Sequence, residues 1–424
     1  MPTAAQNSDP EGGPQPRRAP RVVLGVGGGI AAYKACEVLR RFTESGHEVH
    51  VVPTAAALRF VGAPTWEALS GHPVSTEVWD AVPEVPHVRL GQSADLVLVA
   101  PATADLLARA AQGLADDLLT NVLLTARCPV VFCPAMHTEM WEHPATRENV
   151  ATLRRRGAIV INPAVGRLTG ADSGAGRLPD PAEIFEAALA VLRRGGPLPE
   201  DLAGLRVLVS AGGTREPLDP VRFLGNRSSG LQGYALAAAA VARGAEVTVV
   251  AANVALPDPA GAKVVRVGTA LELREAMRAA AAEAQVVVAS AAVADFRPAH
   301  YAESKIKKSD EHSAPVVELV QNPHVLRELG RERLAEGQTV VGFAAETGDA
   351  QHSYLELGRR KVAAYGVDLL VVNEVGPDKV FGRPVTQGVI VGADGAETPV
   401  PFGSKRALAD AVWDRVVELR RSRP

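Results

Sequence analysis

The chain has 424 residues, 47% hydrophobic and 22% charged, and its 45 basic and 48 acidic side chains leave a net charge of −3. That length predicts two or three domains at about 150 residues each, with ordinary globular cores. The balanced charge excludes long-range attraction to nucleic acid or anionic membrane, and three cysteines (Cys36, Cys128, Cys133) without metal-ligand spacing exclude a disulfide framework and a zinc site, leaving a reducing cytoplasm as the simplest compartment.

Residues 1–19, rich in Ala, Gly and Pro and without an apolar core, read as a disordered tail rather than a signal peptide. Arg21–Gly25 then reads as a strand, Gly27-Gly28-Gly29 as a turn, Ile30–Glu44 as a helix ended by Gly46, and Val49–Val52 as a second strand. Further apolar strands are expected at Leu96–Ala100, Val130–Cys133 and Ile159–Ile161. The same grammar restarts at Leu205–Val209, with a turn at Gly212-Gly213, a long insertion, a helix over Gly233–Arg243 and a strand at Val247–Val250. Strands at Val286–Ala289, Val340–Phe343 and Leu369–Val372 follow. Short continuous apolar runs alternating with helices predict an α/β fold with two doubly wound parallel-sheet (Rossmann-like) domains. We place the first at 20–192, a Gly/Pro linker at 193–204 and the second at 205–424. The longest apolar run, Ala235–Ala242, is far short of the roughly 20 residues of a membrane span.

Glycines after a first strand let the backbone approach a ligand, and the next helix N-terminus favours phosphate. Gly25, Gly27 and Gly28 open a G-x-G-x-x-G pattern that is not completed, and the second strand ends in Val52-Pro53-Thr54 without an acidic residue. A hydroxyl at Thr54 suits a phosphate better than a ribose diol, which favours a mononucleotide such as FMN over NAD. Two strand-to-loop stretches follow, Leu98–Asp105 and Cys133–Trp141, and the glycine-rich Gly166–Arg177 reads as a mobile flap.

Gly25–Lys34, Pro101–Asp117 and Pro134–Trp141 together resemble the flavin-dependent cysteine decarboxylases, most closely the phosphopantothenoylcysteine decarboxylases, over about residues 20–190. The resemblance implies FMN held by Gly27, Gly28, Gly29, Thr54, Ala102, Thr103 and Asp105. It implies His87 as catalytic base, with Met136 and His137 at the substrate. The implied chemistry removes a hydride equivalent from the cysteinyl carbon, releases CO2 from the resulting thioaldehyde, and returns the electrons. His137 stands where the family usually has Asn, Gly27 where many members have Ser, and Gly170 where the flap usually has a cysteine. Asp172, Ser173 or water are the remaining proton donors. Two other readings stay open: a ligase with a flavin-binding but weakly active decarboxylase domain, and a flavin-binding regulatory protein, which needs an idle His87.

In the second half, Gly212–Gly230 mixes anion-binding groups with a Ser228-Ser229-Gly230 helix start. Ala291–Phe296 and Gly342–Thr347 each follow a strand, and Lys305-Ile306-Lys307-Lys308 lies between them, where a triphosphate needs cations. These motifs closely resemble phosphopantothenate–cysteine ligase over about residues 202–420. The resemblance implies that CTP activates the carboxylate of 4'-phosphopantothenate as an acyl-cytidylate, that cysteine's amine attacks it, and that Mg2+ accompanies the triphosphate. Asn226, Arg222 and Lys305 carry the chemistry in that reading. Gly212, Gly213, Asp295, Pro323, His324, Val325, Leu326, Phe343 and Lys361 contact nucleotide and substrate. Leu231 and Tyr365 stand where relatives often have lysine. The resemblance also implies a homo-oligomer of trimeric decarboxylase units joined through ligase dimers, up to a dodecamer.

Overall fold

The computed structural model describes residues 18–74, 86–167, 173–196, 199–307, 316–346, 353–374 and 385–423. The first half runs β1 (Arg21–Val26), α1 (Ala32–Glu44), β2 (Glu48–Pro53), α2 (Ala63–Ser70), α3 (Pro86–Ser93), β3 (Leu96–Ala102), α4 (Ala104–Gln112), α5 (Leu118–Thr125), β4 (Val130–Pro134), α6 (Thr138–Glu142), α7 (Pro144–Arg155), β5 (Ile159–Val160), β6 (Ala164–Arg167), β7 (Ser173–Arg177) and α8 (Pro181–Arg194). β1 to β5 form one all-parallel sheet in the order β2-β1-β3-β4-β5. Its strands are continuously apolar because helices cover both faces. One face packs on α1 and α8 through Val38, Leu39, Phe42, Ile184 and Ala188, and the other on α4, α5 and α7 through Leu106, Leu107, Leu119 and Leu153. The buried positions of α1 recur three and four apart, so one stripe of that helix meets the sheet.

The second half runs β8 (Arg206–Gly212), β9 (Arg215–Pro217), β10 (Phe223–Gly225), α9 (Leu231–Ala242), β11 (Glu246–Ala252), β12 (Ala262–Val267), α10 (Ala270–Ala281), β13 (Val286–Ala289), β14 (Phe296–Pro298), β15 (Leu319–Gln321), α11 (Val325–Arg331), β16 (Thr339–Glu346), α12 (Tyr354–Tyr365), β17 (Leu369–Glu374), β18 (Val385–Gly392), β19 (Glu397–Ser404) and α13 (Lys405–Arg421). The sheet order is β12-β11-β8-β13-β16-β17-β18-β19. The first six strands are parallel, and β18 and β19 extend the sheet antiparallel. That edge was not among the expected strands. α9 and α13 cover one face, and α10, α11 and α12 the other. The Trp413 indole on α13 is buried and donates to the Leu236 carbonyl of α9 at 3.0 Å, which fixes the two helices side by side.

The halves touch through charged groups. Arg243 is 1% exposed and pairs with Asp201 at 2.6 Å and Asp414 at 2.8 Å, and Arg194 of α8 also reaches Asp414 at 2.8 Å. The tail expectation falls mostly outside the described residues. Within them, Arg18 is bonded to Asp95 at 3.0 Å. No helix of the described residues is long and apolar enough to cross a membrane.

Candidate functional sites

Strand order locates both sites. In each sheet the order reverses beside the first strand, at β1/β3 and at β8/β13, and ligands of doubly wound folds sit at the carboxyl ends of such a pair. The order 2-1-3-4-5 of the first sheet is that of flavodoxin-like folds, whose mononucleotide lies at the β1/β3 reversal.

At the first reversal the Gly27 N–H donates to the Pro101 carbonyl at 3.0 Å, tying the loop after β1 to the end of β3. The tie leaves no room for side chains. A Cβ on Gly27 would lie 2.5 Å from the Pro101 oxygen, and one on Gly28 2.3 Å from the Ala56 Cβ. Glycine at 27, where the resemblance expected serine, therefore matches this packing. The N–H groups of Gly28 and Ile30 have no backbone acceptor among the described residues and lie just before the start of α1. That combination of free amides and a helix N-terminus fits an anionic phosphate. Thr54 is buried, and its hydroxyl accepts from the Ala57 N–H at 3.2 Å. The Thr103 hydroxyl caps α4 by accepting from Leu106 at 3.2 Å. Asp105 pairs with Arg109 at 3.0 Å, and Arg109 also holds Asp116 and Asp117. Ala102 accepts from the Ala135 N–H at 3.0 Å, bringing the next loop alongside.

That next loop carries Met136 and His137. The Met136 N–H donates to the Gly176 carbonyl at 2.9 Å, and a Cβ on Gly176, with φ of +144°, would lie 2.2 Å from the Met136 oxygen. The expected flap is thus the β6–β7 hairpin, seated on the Met136–Thr138 loop with His137 exposed beside it. Gly170 and Asp172 lie outside the described residues, as do Lys308 and Thr347. Burial pushes the thiols of Cys36, Cys128 and Cys133 up, most strongly for the fully enclosed Cys133, so each stays a protonated structural thiol.

His87 lies on α3, packed against α5, and its carbonyl accepts from the Thr125 hydroxyl at 2.8 Å. Its Nδ1 is buried without a hydrogen-bond partner. No described hydrogen bond or ring contact joins it to the glycine cradle of its own chain.

At the second reversal a cavity of about 730 Å³ opens. Asn226, Asp295, Pro323–Leu326, Phe343 and Lys361 all line it, drawn from five separate segments. Among the described residues, Asp295 is the only carboxylate in that lining. Asn226 is placed by donating to the Val293 carbonyl at 2.9 Å. Buried Asn322 donates to the Ala294 carbonyl at 2.9 Å, and its N–H reaches the Asp295 carbonyl at 2.8 Å. The Ser210 hydroxyl on β8 accepts from the N–H groups of Ser290 and Ala291, both at 3.1 Å, locking the loop after β13 to β8. His324 caps α11 through Nδ1, which accepts from Arg327, and its ring packs on Tyr365 at 4.6 Å. Leu231 and Tyr365, the two absent lysines, both face the cavity.

Four expected residues do not line it. Gly212 and Gly213 act in the backbone: a Cβ would lie 2.0 Å from the Ala252 oxygen at Gly212 and 2.7 Å from the Asn226 oxygen at Gly213. Arg222 and the backbone of Ile306, the residue after Lys305, meet at Asp219 instead. The Arg222 guanidinium donates to Asp219 Oδ2 at 2.6 Å and to the Ile306 carbonyl at 2.6 Å, and the Ile306 N–H donates to Asp219 at 3.1 Å. Desolvation alone would push the Asp219 carboxyl up, but hydrogen bonds from Val221, Arg222 and Ile306 outweigh it and hold it well below the usual range. Asp219 therefore anchors the lysine segment, a role no motif had signalled. Sequence reasoning also missed Lys405, which reaches the cavity from α13.

Comparisons with known proteins agree with this division. The flavoprotein family model matches residues 13–193, and the model of the DNA/pantothenate metabolism flavoprotein C-terminal domain matches 202–419. The coenzyme A biosynthesis bifunctional protein CoaBC of Mycolicibacterium smegmatis is 58% identical over 408 residues, covering 95% of this chain and 98% of that relative. The protein of the same name from Vibrio vulnificus (strain YJ016) is 39% identical over 402 residues, with 94% and 98% covered. A solved structure of the FMN-dependent cysteine decarboxylase SpaF shares 33% identity, covers 42% of this chain and 97% of its own, and has a TM-score of 0.36.

Proposed function

The chain belongs to the bifunctional coenzyme A biosynthesis (CoaBC) family, a flavoprotein domain joined to a ligase domain, and on that premise we propose how its two sites divide the work. The enzyme ligates 4'-phosphopantothenate to cysteine and decarboxylates the product to 4'-phosphopantetheine. In the second domain CTP, carrying Mg2+, occupies the cavity at β8/β13, with Asp295, Phe343, Pro323–Leu326 and Lys361 around the nucleotide. The carboxylate of the acyl substrate attacks the α-phosphorus, and pyrophosphate leaves. Asn226 lies beside the acyl-cytidylate, where its amide orients the carbonyl for the amine of cysteine. CMP then departs. Arg222 and the segment carrying Lys305, both anchored at Asp219, supply cations for the triphosphate. The observation that carries this reading is the convergence of five separated segments on one cavity at the strand-order reversal.

In the first domain the Gly27–Gly29 turn would hold FMN, with the free amides and the start of α1 taking its phosphate. Bound there, it supplies the electron sink that makes loss of CO2 from the cysteinyl carbon feasible. His87 takes the substrate's proton, Met136 and His137 flank the substrate, and the β6–β7 hairpin closes over it. A trimer brings the His87 of one subunit to the cradle of another, and ligase dimers join such trimers. The compartment is the cytoplasm.

The test is a product assay on the full chain with 4'-phosphopantothenate, cysteine, CTP and Mg2+. Equal CMP and CO2 are expected. CMP without CO2 leaves a ligase with an impaired flavin domain, and neither product ends the proposal.

A further inference from the structure

We propose that Lys405 reads the 4'-phosphate of the acyl substrate in the ligase cavity. The inference rests on the ligase reading above and adds a residue to it. The cavity straddles the carboxyl edge of the second sheet and takes its walls from both faces. The nucleotide candidates on α11 and α12 belong to one face. On the opposite face, α9 and α13 pack together and present their N-termini to the same end of the cavity. Ser228, Ser229, Leu231, Gln232 and Lys405 line that end, and Gln232 donates to the Lys405 carbonyl at 3.2 Å. Phe343 packs on the α9/α13 face, but none of the nucleotide candidates lies at the two helix N-termini, Ser228–Gln232 and Lys405, which leaves that end for the other substrate.

Lys405 has the wrong sign for its position unless an anion joins it. It is the first residue of α13, where the helix dipole disfavours a cation. Among the described residues no carboxylate pairs with it, and burial alone pushes its pKa down. Two convergent helix N-termini, two serine hydroxyls and an ammonium group make a site for a phosphate monoester dianion, the one charged group at the far end of 4'-phosphopantothenate from its carboxylate.

The test compares wild type, Lys405→Met and Lys405→Arg in CMP release, varying each substrate in turn, and repeats it with pantothenate, which lacks the phosphate. Lys405→Met is expected to raise the KM for 4'-phosphopantothenate about 10- to 100-fold, the scale of one lost charge-assisted contact. The CTP KM and the turnover of pantothenate stay as in wild type, and Lys405→Arg keeps most of the affinity. A KM rise confined to CTP, or equal losses with pantothenate and its phosphate ester, overturns the assignment. Calorimetric titration with 4'-phosphopantothenate separates the two failures. Wild type that binds the ester Lys405-dependently but releases no CMP defeats the ligase reading alone. Equal binding by wild type and Lys405→Met defeats the Lys405 role alone.

Discussion

Replacing Gly28 by alanine tests whether the first reversal point is the flavin cradle. The new Cβ would lie 2.3 Å from the Ala56 Cβ and 2.9 Å from the Ala56 carbonyl carbon. Ordinary contact begins near 3.4 Å, so the two loops must separate by about 1.1 Å. Overpacking of this kind costs about 1–3 kcal/mol. If the loops relax by opening the cradle, that cost appears as a weakening of FMN binding by roughly 5- to 150-fold, at about 1.4 kcal/mol per tenfold. Gly29→Ala, whose Cβ meets only the Thr103 methyl at 3.7 Å, is expected to lose less. The assay titrates apo-protein with FMN and follows quenching of flavin fluorescence, with CMP release from the second domain reporting that the chain is folded. A Gly28→Ala protein that makes CMP normally and binds FMN as tightly as wild type refutes the placement.

His87→Gln is expected to lower CO2 release from 4'-phosphopantothenoylcysteine by about 10²- to 10⁴-fold, the usual worth of a general base, with CMP release untouched. Mixing that variant with Gly28→Ala subunits should restore part of the CO2 release, and no recovery argues against sharing of the site between subunits. Asp219→Asn is expected to cut CTP-dependent turnover roughly 100-fold by releasing the Arg222–Ile306 anchor, the cost of a misplaced positioning segment; unchanged CMP release contradicts that role. Glu183 on α8 accepts from the Ala260 N–H at 3.3 Å, and burial pushes its carboxyl up to about 7 against the pull of that hydrogen bond and of Arg406. The folded state thus holds this proton more tightly than the unfolded chain. Its contribution is full below about pH 4.5 and falls as pH rises to about 7, by up to about 3 kcal/mol in total. Glu183→Gln should raise thermal stability at pH 8 relative to wild type and flatten the decline between pH 5 and pH 8, read by calorimetry. Parallel pH profiles for the two proteins contradict the assignment.

The sequence by itself determined the class of fold and the chemistry available to it. Continuous apolar runs such as Val22–Val26 and Val286–Ala289 can exist only where helices cover both sides of a sheet, and the glycines after β1 and β8 mark where backbone must come close to backbone. Asn226, Asp295 and Lys361 were legible through the motifs around them. Strand order was not, because parallel strands look alike in sequence, and only packing distinguishes β2-β1-β3 in one half from β12-β11-β8 in the other. Nor was the antiparallel edge: β19 is largely exposed, and in β18 only Val389-Ile390-Val391 make a short apolar run. Tertiary structure alone decided that Arg222 serves Asp219, that the hairpin glycines receive the Met136 loop, and that Lys405 shares a cavity with Asn226. The reason is physical: local propensity acts over a few residues, whereas a site at the end of a parallel sheet is assembled from loops whose only common property is where their strands stop.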